Sequence, residues 1–405
     1  MKIIEHLSVL SISVLLLVGC SSSNNYEQQA QDLAQKYIIV DGHIDVPYRL
    51  KADWEDISKS APGGQFDYPR AKEGGLDAPF MSIYVPVEYQ QSGGAKAAAD
   101  SLITMVKGIA SDNPDKFAIA TSPEEIKAQS EEGLISLPMG IENGAPIEDL
   151  STVKYYYDQG VRYITLAHAK DNRISDSSYD TTKDTHNGLS EYGTQVVEEM
   201  NRVGVMVDVS HITDKAFYDV METTQAPVVA THSSCRHFTP GFERNMSDEL
   251  IKRLGENGGV IMINFGSTFL DSASSNSMDE VEAEISQKIK EKGLDPSSEK
   301  AEEFRSTYFQ ENFKFSTVEK VADHIDHVVD LVGIEHVGLG SDYDGVGPTL
   351  PEGLKDVSTY PNLIAELLER GYSEEDIQKI CSGNIFRVWN NVSEVASKLQ
   401  QDSAN

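Results

Sequence analysis

Basic residues are scarce in this 405-residue chain: 34 Lys and Arg stand against 65 Asp and Glu, a formal net charge of −31. Nucleic acids and anionic membrane surfaces are bound by clustered Lys and Arg, so this balance argues against either as a partner. Cysteine is nearly missing, with Cys20, Cys235 and Cys381 the whole complement. Cysteines so few and so far apart make no disulfide framework. Long apolar runs are missing too. The one near the N-terminus, Ser8 to Val18, is too short to span a bilayer with ordinary margins. No internal repeat beyond a strand–helix unit and no low-complexity segment after residue 33 is present. What remains is 39% apolar and 24% charged, ordinary for a globular chain that buries a substantial core. Its length allows two average domains or one large α/β domain.

The N-terminus reads as a targeting segment. Lys2 gives a slightly basic start, and the apolar run ends in Leu17-Val18-Gly19-Cys20, which resembles a bacterial lipoprotein signal. That resemblance implies a signal peptide over 1–19, a lipidated Cys20 as the first mature residue, and a polar tether over 20–33. Ser21 after the cysteine implies an outer-membrane anchor facing the periplasm of the bacterial envelope. An ordinary secretory signal and an uncleaved anchor are the alternatives.

Eight short β-rich runs follow, at Ile38–Asp45, Ala78–Val85, Leu134–Glu142, Arg162–His168, Val205–His211, Pro227–His232, Val260–Phe265 and His336–Asp342. Most are continuously apolar, as in strands buried on both faces. Amphipathic helical segments separate them: Asp149 to Gly160, Ser190 to Val203, and one capped by Ser247 and stopped by Gly255. Strand and helix alternating eight times predict a (β/α)8 barrel, here a single domain over 34–400. A Gly- and Pro-punctuated excursion occupies Glu55 to Lys72, and a charged insertion spans 271–314 between strands seven and eight. The insertion is either a solvated decoration or a lid or dimer contact over the open end of the barrel. Ser373 to Leu399 reads as a closing helix pair.

Barrel active sites lie at the carboxyl ends of the strands, and polar residues fall there. Strand one ends in His43-Ile44-Asp45, strand three in Glu142, strand four in His168, strand five in His211, strand six in His232 and strand eight in Asp342. Four of the ten His land on strand ends. His43, Asp45, Glu142, His211 and His232 are too many ligands for one tetrahedral zinc. They suit two Zn2+ ions sharing Glu142 as a bridge, which would activate water and polarise a carbonyl. Amide hydrolysis then needs a proton shuttle, for which Asp342 is placed better than Asp344. His168 is either a further ligand or, as favoured here, a donor to the developing oxyanion. Arg244 either forms a surface salt bridge or binds a substrate carboxylate bidentately. His186, His237, His324, His327 and His336 are expected to be structural or exposed.

As an ordered set, several stretches resemble the renal (membrane) dipeptidase family of metallopeptidases. They are Asp41-Gly42-His43-Ile44-Asp45, Gly140-Ile141-Glu142-Asn143-Gly144, Tyr163-Ile164-Thr165-Leu166-Ala167-His168, Val207-Asp208-Val209-Ser210-His211, Thr231-His232-Ser233-Ser234, Arg244-Asn245-Met246 and Gly340-Ser341-Asp342-Tyr343-Asp344-Gly345. The resemblance implies a dinuclear zinc centre, with His43, Asp45 and Glu142 on one ion and Glu142, His211 and His232 on the other. It further implies substrate contacts from His168 and Arg244, proton transfer by Asp342, and attack by a metal-bridging hydroxide. Dipeptide substrates with a free C-terminal carboxylate, tolerance of a C-terminal D-residue, β-lactam opening in some members and a homodimer are implied as well. Asn143-Gly144-Ala145 departs from the two Gly and a His common in that family. Two other readings stand beside it. One is a barrel amidohydrolase of a different amide, bridging its metals through a modified Lys170. The other is a non-catalytic peptide-binding lipoprotein.

Overall fold

Eight parallel strands close into a barrel, each hydrogen-bonded to its neighbours in chain order. They are β1 (Ile39–Ile44), β2 (Leu76–Tyr84), β3 (Met139–Glu142), β4 (Val161–Thr165), β5 (Met206–Asp208), β6 (Val229–Ser233), β7 (Val260–Ile263) and β8 (Val337–Leu339). This computed structural model describes residues 23–181 and 185–404; the signal segment 1–19 and Cys20 lie outside the described residues. Asp41 of β1 pairs with Leu339 of β8, which closes the ring. Beyond the ladder the two chains stay in register, because Asp342 N–H donates to the His43 carbonyl at 3.0 Å and Asp45 N–H to the Tyr343 carbonyl at 2.8 Å. Residues nearly 300 apart in sequence are thereby held side by side.

Several strands end earlier than their apolar runs predict. Asp45, His168, His211 and Asp342 all lie just past the ladder. His211 and Asp342 turn out of it with φ of 69° and 62°, left-handed values that are uncommon for residues with a Cβ. The expected third strand, Leu134–Glu142, is two elements. Ile135–Ser136 pairs with Phe117–Ala118 in a separate two-stranded sheet, and only Met139–Glu142 joins the barrel. Pro138 lies between them and has no N–H to give a ladder, so the run breaks there.

The stretch expected as a tether over 20–33 carries a helix, Ser23–Lys36. Ala30, Leu33 and Ala34 on it are buried, and the helix packs on Tyr360–Glu369, so the packed domain reaches back well before residue 34. Ser247 is the N-cap expected from the sequence, accepting the Leu250 N–H, and Asp149 and Ser190, where two other helical segments start, cap theirs by accepting from Thr152 and Gly193. The helix after Ser247 runs one residue past Gly255, to Glu256. The next turn is made by Gly258 at φ 81°.

Apolar burial falls into three clusters. One fills the barrel interior, where Val40, Phe80, Tyr163 and Met262 meet Phe386, Trp389 and Val392 of the C-terminal helix Asn384–Ala404. That helix closes one end of the barrel, with Trp389 at 5.4 Å from the Phe80 ring. The largest cluster lies between the strands and the surrounding helices. The third belongs to the insertion, a hairpin of Ser272–Glu291 and Glu299–Asn312 whose Val281, Ile285, Ile289, Phe309 and Phe313 make a small core of their own. Each such side chain contributes roughly 1.5–3 kcal/mol of gross burial. Cys235 and Cys381 are buried and unpaired. No helix among the described residues is long and apolar enough to cross a membrane.

Gly140 clears space for Tyr163, since a Cβ there would sit inside the Tyr163 ring. Gly140→Ala should therefore destabilise the barrel by about 1–3 kcal/mol through overpacking, measured by urea unfolding. An unchanged midpoint would mean that the barrel interior yields more readily than its close packing implies.

Candidate metal centre

Glu142 ends β3 and is 3% exposed, a carboxylate almost fully withdrawn from water. The side chains read from the strand ends converge on it. His211 Nε2 stands 3.1 Å from its Oε1, His232 Nε2 3.3 Å and His168 Nε2 3.4 Å, while His43 Nε2 is 3.5 Å from its Oε2. Asp45 Oδ2 lies 3.4 Å from His43 Nε2. Two overlapping groups thus form, His43–Glu142–His232 and Glu142–His168–His211, and a third, His43–Asp45–Asp342, adjoins them.

Partners behind the ring orient the imidazoles. The Tyr163 hydroxyl meets His43 Nδ1 at 2.8 Å and turns Nε2 toward the carboxylates. Asp208, buried at the end of β5, accepts from the Thr165 and Thr231 hydroxyls at 2.5 and 2.8 Å. Thr231, having given its proton to Asp208, accepts from His232 Nδ1 at 2.8 Å. His232 Nε2 is then a bare lone pair, the form a metal ligand takes. It faces His211 Nε2 at 2.9 Å.

The electrostatics fit a cation. Burial would raise Glu142, but the His168 and His43 imidazoles beside it hold it well below the carboxylate range. Burial, with Arg244 or His43 next in weight, pushes His211 and His232 well below the usual imidazole value. Burial also lowers His168. His43 goes the other way: burial opposes protonation, yet Tyr163, Glu142 and Asp45 hold it well above the usual value. A proton there stands in for the positive charge that the carboxylates call for. His43 Nε2, Asp45 Oδ1 and His211 Nδ1 are buried without a hydrogen-bond partner, a costly state unless something else engages them. Neutral His211 and His232, an ionised Glu142 and orphaned buried atoms are what a divalent-metal donor set requires. The residues present fit such an ion.

Asp342 lies across the cleft from Glu142, its Oδ2 accepting from Asn264 Nδ2 at 2.7 Å. Burial and the Asp45 carboxylate push it up to about 8. Gly345 lets the two carboxylates approach, because a Cβ there would collide with Asp342 Oδ1 and Asp45 Oδ2. Asp344 is structural: its carboxylate takes Arg49 Nε at 2.9 Å and the Gln65 N–H at 2.6 Å. A cleft of about 390 Å3 opens onto the group, lined by Tyr48, Tyr84, Tyr179 and Phe269 besides Glu142, His168, His211 and Asp342.

Arg244 departs from the expected free fork. It is 3% exposed, and its two terminal nitrogens donate to Ser233 Oγ and the His232 carbonyl, both at 2.8 Å. The guanidinium therefore braces β6 from behind, leaving Nε buried without a partner. Lys170 is drawn away to Asp180 at 3.1 Å, which removes the support for a modified-lysine bridge. His186 and His324 are structural, bonded to the Asn172 and Leu270 carbonyls. Asn264 and Asp208 went unassigned in the sequence although both sit at ends of apolar runs, the signal that found the other residues. The cleft tyrosines carry no motif and only the fold reveals them.

A parallel barrel with this donor set at the carboxyl ends of its strands defines the class of metal-dependent barrel hydrolases. The chain belongs to the membrane dipeptidases, peptidase family M19, whose profile matches residues 27–403. It is thus a hydrolase of peptide bonds. The chain is 30% identical to dipeptidase 3 of Mus musculus over 93% of its own length and 69% of that protein's. It is also 30% identical to an uncharacterized dipeptidase of Schizosaccharomyces pombe, over 93% and 85%. Among solved structures, the probable dipeptidase PvdM from Pseudomonas aeruginosa superposes with a TM-score of 0.79 at 28% identity, over 92% of this chain and all (100%) of that one. A metallo peptidase from Rhodobacter sphaeroides, liganded with a phosphinate mimic of the dipeptide L-Ala-D-Ala, gives 0.71 at 26% identity, over 88% and 99%.

A carboxyl raised in the fold favours its protonated form, so Asp342 supports stability below its unfolded value near 3.8 and that support is lost as pH rises through about 8. Metal-stripped wild type should lose stability relative to Asp342→Asn between about pH 4 and about pH 8, followed by urea unfolding. Parallel profiles would mean that Asp342 ionises freely in the fold.

Proposed function

We propose that this chain is a zinc dipeptidase that cleaves dipeptides bearing a free C-terminal carboxylate, including those with a D-residue at that end. The observation that carries the reading is the convergence of His43, His211 and His232 on the buried Glu142, with Asp45 beside His43 and Asp342 in the same cleft. His43, Asp45 and Glu142 would hold one zinc ion, and Glu142, His211 and His232 a second. Ions held there supply a nucleophilic water at neutral pH and polarise the scissile carbonyl.

The chain's own residues do the rest. Asp342, steadied by Asn264, takes the proton of the attacking water and returns it to the leaving amine. His168 is 21% exposed at the cleft wall and donates to the carbonyl oxygen as negative charge develops there. Arg244 has no ion-pair partner among the described residues and an unpaired Nε–H. A buried cation without a counter-ion is costly, and a substrate carboxylate reaching that side of the guanidinium would relieve it. The dipeptide mimic held by the Rhodobacter sphaeroides relative ends in D-Ala, which supports extending the substrate range to D-residues. Tyr48, Tyr84 and Tyr179 would bound the side-chain pockets.

A panel of dipeptides with L and D residues at each position, and with amidated C-termini as controls, tests the reading. Hydrolysis of L–L and L–D dipeptides, its loss on chelation and its return with zinc are expected. Equal cleavage of amidated substrates would sink the role given to Arg244. A protein with zinc in both barrel positions that turned over no dipeptide would sink the activity itself.

We also propose that Cys20 carries a lipid anchor, that the domain faces the periplasm, and that it acts as a homodimer; the Leu17-Val18-Gly19-Cys20 stretch supports the anchor. Expressed in a bacterium, wild type should fractionate with membranes, whereas Cys20→Ala should appear in the soluble fraction and sediment as a dimer. Equal partition of the two would refute the anchor, and a monomer the assembly.

A further inference from the structure

A second group of metal-capable side chains lies outside the barrel mouth. His237 belongs to the turn Arg236–Phe238 after β6, Asp248 is the first residue of the helix Asp248–Glu256, and His327 stands on the helix Val318–Val332. One ligand atom from each lies within 4.8 Å of the other two. His327 Nε2 meets Asp248 Oδ1 at 2.8 Å, and the two imidazoles stack at 4.4 Å with 28° between their planes. Phe238 wedges edge-on against both, at 4.9 Å from the His237 ring and 5.6 Å from His327. His237 is exposed, and Asp248 and His327 half-buried, so solvent reaches the group. His324, close by, is not available, because Cys235 N–H occupies its Nδ1 and its Nε2 donates to the Leu270 carbonyl.

An ion pair between His327 and Asp248 alone would explain one imidazole but not the second laid parallel against it. Two protonated imidazoles at that separation repel, whereas one cation takes both in their neutral form. Two imidazoles with one carboxylate suit zinc and its transition-metal neighbours rather than calcium or magnesium. The formal net charge of −31 raises the local concentration of any cation. We propose that His237, Asp248 and His327 bind a zinc-class divalent ion, separate from the barrel centre, with water completing its shell. His237 and Asp248 flank the segment that carries Arg244, so the ion ties both ends of that segment to the helix Val318–Val332. Its role is to stabilise the brace behind β6, and it stands independently of the dipeptidase reading.

The test compares zinc content and melting temperature of the purified full chain with those of His237→Ala, His237→Gln and Asp248→Asn. All are dialysed against the same micromolar free zinc. Wild type is expected to hold one equivalent more than each variant, and added zinc should raise its melting temperature more than theirs. Far-ultraviolet circular dichroism should be the same in all, which confirms that the variants fold. Equal zinc content across the set, or a wild type whose melting temperature zinc raises no more than the variants', would overturn the proposal.

Discussion

A carboxylate buried among four imidazoles sets the terms for the rest of this molecule. Glu142 is 3% exposed, and an isolated charge so far from water is not sustained unless it is paired. At an effective dielectric near 20, a unit cation about 3 Å away interacts with it at roughly 5 kcal/mol, so the surroundings must keep positive charge or its equivalent close. The barrel does this by aiming His43, His168, His211 and His232 at the same two oxygens. Two of those rings are held in turn, His43 by Tyr163 and His232 by the Asp208–Thr231 pair. Four of the strand ends at the open end of the barrel thus bring an imidazole to that one group.

Barrel closure makes the arrangement reachable. β1 and β8 pair only because the ring closes, and their pairing sets Asp342 beside His43 and Asp45. Strain gathers at the same place. Of the five non-glycine residues with positive φ among the described residues, Asn143, His211, Asp342 and Asp344 adjoin or form the site, and Asn187 lies in the segment after β4. Such conformations cost on the order of 1–3 kcal/mol each and persist where packing over-determines them. The close-packed strands beneath, plugged by Trp389 from the C-terminal helix, provide that over-determination.

The same scaffold explains how specificity and chemistry are divided. The strands and the residues just past their ends supply the donor set, while the segments after β1, β4 and β7 supply Tyr48, Tyr179 and Phe269 to the cleft. The insertion hairpin begins at Ser272, two residues after the short helix that carries Phe269. It is rooted beside the cleft but keeps its own core, so it can vary without disturbing the donor set. Arg244 couples the two layers, because it hydrogen-bonds the main chain of His232 from behind.

The amino-acid sequence by itself determined the barrel and the convergence of its polar strand ends. Eight apolar runs separated by capped helices admit few other folds, and the carboxyl-end rule then picked out His43, Asp45, Glu142, His168, His211, His232 and Asp342. Local signals suffice there because strand direction and side-chain alternation are local properties. Tertiary structure decided the rest. Pro138 split one apolar run between two sheets, and burial of Ala30, Leu33 and Ala34 turned a polar-looking tether into a helix. Arg244 was drawn inward by Ser233 and the His232 carbonyl. Tyr163 behind His43, Asp208 behind Thr231 and Asn264 behind Asp342 are partners set by distances across strands that no spacing along the chain records. His43 and Asp342 are neighbours only because the sheet closes on itself, and closure is a property of the whole barrel rather than of any stretch within it.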